Sequence, residues 1–595
     1  MREFTTRPEL RGNFGMAAST HWIASGVGMA ALERGGNAFD AAAAMGFTLQ
    51  VVEPHLNGPG GEAPIVFKAV GERATVLCGQ GPAPAAAVPE AFEGMDRIPG
   101  SGVLPAMVPG AFDTWLLLAR DRGRMSLRSL LEPAIGYARR GYPLMPQIVD
   151  KIASVQQVFT RLWPTSAELW LKGGDVPAAD SFHRNPALAD TYERILNEAE
   201  TVGSRRDLQF DAARRIWREG FVAETIVDFL AEPVASGDGR YHRALLTGDD
   251  LAGWSASYED TVSVDYGELT VHKTGAWGQG PVFLQQLRLA EALGLGGAEG
   301  PGVLSPEFIH LVTEAAKLSF ADRDAHYADP LFADVPLDTL LSRAYAEERA
   351  RLVAAEASME LRPGSPDGRE PFIPPLWLAG ETPGTDRASG EPTVDRTGDQ
   401  RGDTCHLDVV DSEGNMVAAT PSGGWLASSP TISALGFALG TRGQMFWLDG
   451  RSPGVVAPGK RPRTTLTPTL VTRGDEGVMA LGTPGGDQQD QWSLTFFLRL
   501  LHGGMNLQEA IDAPMFHNNA FPGSFFPREI APGELVVEDR VGEAAVSELR
   551  RRGHRVTHGG PWSLGRISAV SRDPESGVLR AGANPRGMQG YAAGR

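Results

Sequence analysis

GDTCHLDVVDSEGNMVAATPSGG, residues 402–424, marks the point where the chain changes character. Before it, from about Ser358 to Asp403, Pro, Gly, Asp, Arg and Glu dominate and no apolar face can be drawn. After it, apolar and polar residues alternate with the period of a strand. His406 to Asp411 and Met416 to Thr420 predict a hairpin that turns at Ser412-Glu413-Gly414-Asn415. A structureless segment of that length inside a compact unit is unusual. It points to a functional loop, a mobile element or a region that is processed.

Thr404 sits on the border. A Thr hydroxyl is a weak nucleophile until a base stands beside it, and the α-amine of the same residue can be that base if the Thr heads a chain. An α-amino group has a pKa of about 7.7–8.0, so much of it is neutral near neutral pH. A cut between Asp403 and Thr404 would create such a residue, and the Thr404 hydroxyl could make the cut by attacking the Asp403 carbonyl. Spacing alone leaves this beside a plainer reading, in which Thr404 is the first residue of an ordinary strand.

Outward from the junction, the bulk properties narrow the field. The 595 residues exceed one ordinary core, which predicts two domains or one large composite. The formal net charge of −18 has no basic run against it, which excludes a general nucleic-acid or anionic-membrane binder. Cys78 and Cys405 are the two cysteines, too few and too distant for a zinc site or a disulfide framework, and they fit a reducing compartment. The first residues lack an apolar signal core and no later stretch reaches spanning length, so the expected location is cytoplasmic.

The rest reads as mixed α and β. Residues 20–55 predict two helices divided by Gly35-Gly36, the second capped by Asn37 or Asp40. APIVFKAVGERATVLC predicts a hairpin turning near Gly71, and TPTLVTRGDEGVMALGTPGG another turning at Gly474-Asp475. Amphipathic helices fill most of Met107 to Leu230, and FLQQLRLAEALG, PEFIHLVTEAAKLSFADRDAHYADP, WSLTFFLRLLHGG and VGEAAVSELRRRG add more. Strands followed by helices in both halves imply stacked layers.

Several chemical signals fail on inspection. Gly454 to Lys460 begins like a phosphate-binding loop, but Arg461 stands where the magnesium-binding hydroxyl belongs and Pro458 removes an amide donor. His310 and Glu314 share a helix face, with His326 beyond, yet no third ligand is near in sequence; a structural role is the better reading, and no metal or organic cofactor is implied. No G-x-S-x-G elbow occurs.

DTCHLDVVDSEGNMVAAT resembles the small-subunit start of the γ-glutamyltranspeptidase family of N-terminal-nucleophile hydrolases. VVEPHLNGPGG, HLVTEAAKLSFADRDAHYADP, KRPRTTLTPTLV, LGTPGG, RRGHRV and AGANPRGMQGYAAG occur in that family's order, from about Gly15 to Gly594. The resemblance implies an α+β fold of the four-layer αββα type. It also implies a precursor cut into a large subunit, 1–403, whose last residues from about 358 form a flexible tail, and a small subunit, 404–595. Together these would form one composite domain. Thr404 matches the nucleophile, Ser422 the hydroxyl that tunes it, and Gly485 and Gly486 the pair lining the oxyanion hole. Glycine there allows amide donors close to the oxyanion, where one donor is worth about 2.7–4 kcal/mol.

The departures concern the substrate. Gln80 stands where the family's carboxylate-binding Arg belongs, and loses its bidentate charge. Thr464-Thr465 replace a Ser-Ser pair, Gly424 replaces a substrate-contacting Asn, and Asp449 is the nearest match for the acid that grips the α-amino group. GRSPGVVAPG is a short version of a covering loop, and GPGGEAPIV replaces a longer Gly run. Asp487, with Asp490 and Gln488, Gln489 and Gln491, follows Gly486 and either reads polar groups on the substrate or caps the helix near Trp492. The implied function is a self-processing N-terminal threonine amidohydrolase or acyltransferase acting on a small-molecule amide that is not γ-glutamyl. It would work without a cofactor, as a heterodimer or an oligomer of heterodimers. The alternatives are a γ-glutamyltransferase or glutathione hydrolase with atypical contacts, and a non-catalytic binding protein on the same scaffold.

Overall fold

The hairpin read at the junction forms the middle of a seven-stranded sheet. Leu407–Asp411 pairs antiparallel with Met416–Ala419, Val409 opposite Val417, and on its other side with Gly15–Ser19. The sheet runs Tyr591–Gly594, Gly15–Ser19, Leu407–Asp411, Met416–Ala419, Ile65–Lys68, Thr75–Cys78, Ser257–Asp260. A second seven-stranded sheet runs Leu10–Gly12, Leu579–Ala583, Ser568–Arg572, Glu476–Gly482, Thr469–Arg473, Leu269–Lys273, Val262–Tyr266. The computed structural model describes residues 4–237, 239–297, 300–380 and 404–595; Asp403 and most of the segment before it lie outside the described residues.

Both sheets take strands from before and after Thr404. Side chains alternate between the two faces of each sheet, and in the central strands Gly15–Ser19, Leu407–Asp411 and Met416–Ala419 both faces are buried. Met16, Ala18, Val66, Val410 and Met416 of the first sheet share one cluster with Leu470, Ala480, Val570 and Ala581 of the second. On the far face of the first sheet, Leu407, Val409 and Val417 pack with helices Trp22–Glu33 and Ala38–Val52. On the far face of the second, Val271, Val471 and Leu481 pack with Gly280–Ala292 and Gln489–Gly503. The protein is thus a mixed helix-and-sheet, α+β structure.

Local chemistry accounts for the elements that set up the site. Asn37 caps Ala38–Val52 with a reciprocal Asp40 capping box, as the sequence suggested. All fifteen residues of that helix are buried, and its alanines permit the close approach. The two hairpin turns fall at Gly71 and Gly474, both with positive φ. The helix expected near Trp492 begins earlier, at Gln489, directly behind Gly485-Gly486. Residues 358–380 run along the body: Phe372 is buried against Trp447, and Trp377–Leu378 pairs with Glu529–Ile530. Cys78 and Cys405 are separate, buried thiols.

One buried ion pair ties the second sheet to that helix. Lys273 Nζ lies 3.2 Å from Asp490 Oδ1, both side chains fully buried, and donates to Thr469 Oγ1 at 2.7 Å and the Thr467 carbonyl at 3.0 Å. Removing one member strands the other charge in the core, which costs about 3–5 kcal/mol. Lys273→Met is expected to lose that much in urea unfolding, and Lys273→Met/Asp490→Leu to recover most of it. Additive losses in the double variant would refute the pairing.

Candidate active site

Thr404 lies fully buried at the mouth of the central hairpin. It forms an isolated antiparallel bridge with Ser422, and the Cys405 amide donates to the Pro421 carbonyl at 2.9 Å. The bridge brings Thr404 Oγ1 within 3.3 Å of Ser422 Oγ. Ser422 is fixed from the other side by the loop after helix Ala38–Val52: Ser422 and Glu62 exchange amide–carbonyl hydrogen bonds of 2.9 and 2.8 Å. A Cβ on Gly61 would stand 2.1 Å from the Ser422 carbonyl, so only glycine lets this loop come so close.

Charged groups surround the two hydroxyls. Arg442 donates from Nη2 to Ser422 Oγ at 2.7 Å and from Nε to Glu62 Oε1 at 2.5 Å, all three residues being buried. Burial pushes the Glu62 carboxyl up, and Arg442 opposes that shift. The next residue, Cys405, donates its thiol proton to Glu53 Oε2 at 2.8 Å. Glu53 also accepts from Thr20 Oγ1 at 2.6 Å and Gln589 Nε2 at 2.5 Å. Behind Thr404, His406 bridges Thr420 Oγ1, 2.9 Å away, and Asp408 Oδ1, 2.8 Å away. Asp408 Oδ2 in turn accepts from Ser568 Oγ of the second sheet at 2.8 Å.

The remaining sequence candidates fall in distinct places. Gly485 and Gly486 form the turn between Glu476–Gly482 and helix Gln489–Gly503, with φ of +131° and +54°. A Cβ on Gly485 would meet the Trp492 ring at 2.3 Å. Gln80 is buried, with Nε2 donating to its neighbour's carbonyl, Gly81 O, at 3.0 Å. Thr464 and Thr465 are buried, the Thr464 amide donating to the Trp277 carbonyl at 3.0 Å. Gly424, at φ +63°, packs on Gly60 and Gly61. Asp487 is engaged by protein: Arg323 pairs with it, and Ser524 donates from its amide at 2.8 Å and its hydroxyl at 2.5 Å. Asp449 is paired with its neighbour Arg451 near the surface. Glu314 is held by Lys317 and Arg362 while His310 hydrogen-bonds His554 at 2.8 Å, so the fold brings to His310 and Glu314 a third potential ligand, His554, that the sequence spacing did not show.

A family model for γ-glutamyltranspeptidase matches residues 24–594. The chain belongs to the γ-glutamyltranspeptidase family. It is 30% identical over 586 residues to the glutathione hydrolase-like YwrD proenzyme of Bacillus subtilis (strain 168), covering 97% of this chain and 98% of that one. The oxamate amidohydrolase proenzyme of Klebsiella pneumoniae subsp. pneumoniae is 29% identical over 589 residues, covering 98% of each. Among solved structures, that of LmbA2991HD superposes with a TM-score of 0.93 at 51% identity over the whole of both chains. Members of this γ-glutamyltranspeptidase family thus include proteins named for different amide substrates.

Arg442, Glu62 and Glu53 were missed in the sequence. Their one signal is a lone charge among apolar and glycine residues: FALGTRGQMF for Arg442, VVEPH for Glu53 and GPGGEAPIV for Glu62.

Glu53 carries a pH signature. Burial raises its carboxyl to about 7 against the hydrogen bonds from Cys405 and Thr20. A raised acid binds its proton more tightly when folded, so its stabilisation is complete below the unfolded value of 4.5 and is lost as pH rises through about 7. The span corresponds to about 3 kcal/mol. Urea unfolding of a Thr404→Ala chain should show this slope between pH 4.5 and 7. Glu53→Gln in that background should flatten it, and an unchanged slope would remove Glu53 as its source.

Proposed function

We propose that this chain is a self-processing amide hydrolase with Thr404 as its nucleophile. The observation that carries the reading is the buried Thr404–Ser422 hydroxyl pair at 3.3 Å, three residues before the central hairpin of a γ-glutamyltranspeptidase-family chain. The precursor cuts itself between Asp403 and Thr404 into two chains that remain interleaved. The three shared clusters of the two sheets and their helices support the four-layer αββα arrangement.

In the cut, Thr404 Oγ attacks the Asp403 carbonyl and the peptide C–N bond breaks. The nitrogen leaves as the Thr404 α-amine, and water hydrolyses the ester, returning the hydroxyl. In turnover the α-amine takes the hydroxyl proton as Oγ attacks a substrate amide. Gly485 and Gly486 amides stabilise the oxyanion, the amine product leaves with the proton, and water releases the acid. Arg442 acts through Ser422. A cation donating to Ser422 Oγ acidifies the serine's own proton and makes it a better donor to Thr404 Oγ1. Gln80, neutral and bonded to its own backbone neighbour, supports an acyl group other than γ-glutamyl.

N-terminal sequencing of the purified protein should find a fragment starting Thr404-Cys405-His406, absent in Thr404→Ala together with all turnover. A wild-type chain that stays whole would sink the proposal. Brisk, saturable release from γ-glutamyl-4-nitroanilide would instead return it to the ordinary γ-glutamyl specificity.

Ser422→Ala and Arg442→Met should each lower kcat by about 100–1,000-fold, the range of a single positioned hydrogen-bond donor. Because they act in series, the double variant should be little worse than the poorer single one, and Arg442→Lys should restore part of the rate. Fully multiplicative losses would place Arg442 outside this chain of contacts.

A further inference from the structure

Ser524 to Arg528 form a loop between the two halves of the active site. On one side Ser524 holds Asp487, the residue after Gly486. On the other, the Phe525 ring lies 5.5 Å from the Arg442 guanidinium, which in turn holds Ser422. Arg463 joins the loop by donating from Nη2 to Ser524 Oγ at 2.9 Å. Arg528 closes it: its Nη2 donates to the Gln444 and Phe446 carbonyls at 2.7 and 2.8 Å, and its guanidinium lies over the Trp447 ring at 4.0 Å.

The charges here do not balance. Arg323, Arg463 and Arg528 are buried cations, against the buried carboxylates of Asp324 and Asp487. Both carboxylates are already engaged by Arg323; Arg463 reaches Asp324 only at 3.5 Å. Among the described residues one positive charge is left over. Nη1 of Arg463 and Nη1 of Arg528 are buried with no acceptor among the described residues. Burial, reinforced by the other arginines, lowers the Arg463 guanidinium to about 10 and that of Arg528 to about 9. A charged donor left without an acceptor in the interior is costly. Arg528 also sits at φ +62°, an unfavourable backbone for a side-chain-bearing residue. Such an arrangement persists where a ligand completes it.

We propose that Arg463 and Arg528 form a carboxylate subsite, and that the enzyme's substrates are amides carrying a single carboxylate. This rests on the amide-hydrolase reading above. A monoanion neutralises the surplus charge, and the planar guanidinium edges match a carboxylate's two oxygens. Gln80 donates to its own neighbour's carbonyl, and the two arginines supply the anion recognition which that position has lost.

The test uses the processed protein and two isosteric pairs: succinamate beside succinamide, and N-acetylglycine beside N-acetylglycinamide. Binding is read by calorimetry. In the wild type, the acid of at least one pair should bind ten times or more tightly than its neutral partner. That preference should fall to about twofold or less in Arg463→Met and in Arg528→Met, and return in part in the lysine variants, which keep the charge and guard against misfolding. Equal binding of acid and amide in both wild-type pairs, or a preference that survives in both methionine variants, would overturn the subsite. Ammonia release from succinamate is scored separately. Its absence from a chain that still prefers the acid would refute the hydrolase reading and leave the subsite standing.

Discussion

The short antiparallel contact between Thr404 and Ser422 governs the site. Two backbone segments, one starting a strand and one leaving its partner, are drawn together before the regular ladder of Leu407–Asp411 begins. The contact fixes the distance between two hydroxyls, and it requires every neighbour to make room. Gly61 does so by having no Cβ, and Gly424 by its left-handed backbone. The Cys405 amide and the Thr20 amide, which donates to the His406 carbonyl, hold the residues on either side. A hydroxyl held by so constrained a backbone is positioned by the sheet rather than by its own rotamer freedom.

The site is built mostly from buried charge. Glu53, Glu62, Asp408, Asp490 and Asp487 are all inside, and each has a named partner: Cys405 and Gln589, Arg442, His406, Lys273, and Arg323. Such groups add little net stability compared with an apolar core, but breaking one pair is expensive, so they hold geometry in place. The Arg463–Arg528 region breaks this pattern because its cations outnumber its anions. Unlike the others, its imbalance lies next to the loop that joins Gly486 to Arg442. That location is what favours the proposed carboxylate subsite over a purely structural network.

Interleaving explains how one chain could become two and remain one body. Gly15–Ser19 lies between Leu407–Asp411 and Tyr591–Gly594, and Leu269–Lys273 pairs with Thr469–Arg473. Neither half carries a complete sheet, so a cut before Thr404 would cross no pairing among the described residues.

Much of the architecture was legible in the residues. Both hairpins around Gly71 and Gly474, the Asn37 cap, the long helices and the hairpin after Thr404 follow from local periodicity and turn chemistry, which act over a few residues. The Thr404 border was visible for the same reason: composition changes abruptly there. The order of motifs further pointed to the family. What the sequence could not contain was any relation between distant positions. Arg442 reaching Ser422 and Glu62, Ser524 joining Asp487 to Arg463, and Glu53 meeting Cys405 and Gln589 span tens to hundreds of residues. Asp487 read as either a substrate contact or a helix cap beside Gly486, and the fold gives both its oxygens to protein. Local sequence thus determined the elements and the nucleophile candidate; tertiary packing alone decided which buried charges are paired and which are left over, because pairing depends on distances that only the closed sheets and their loops create.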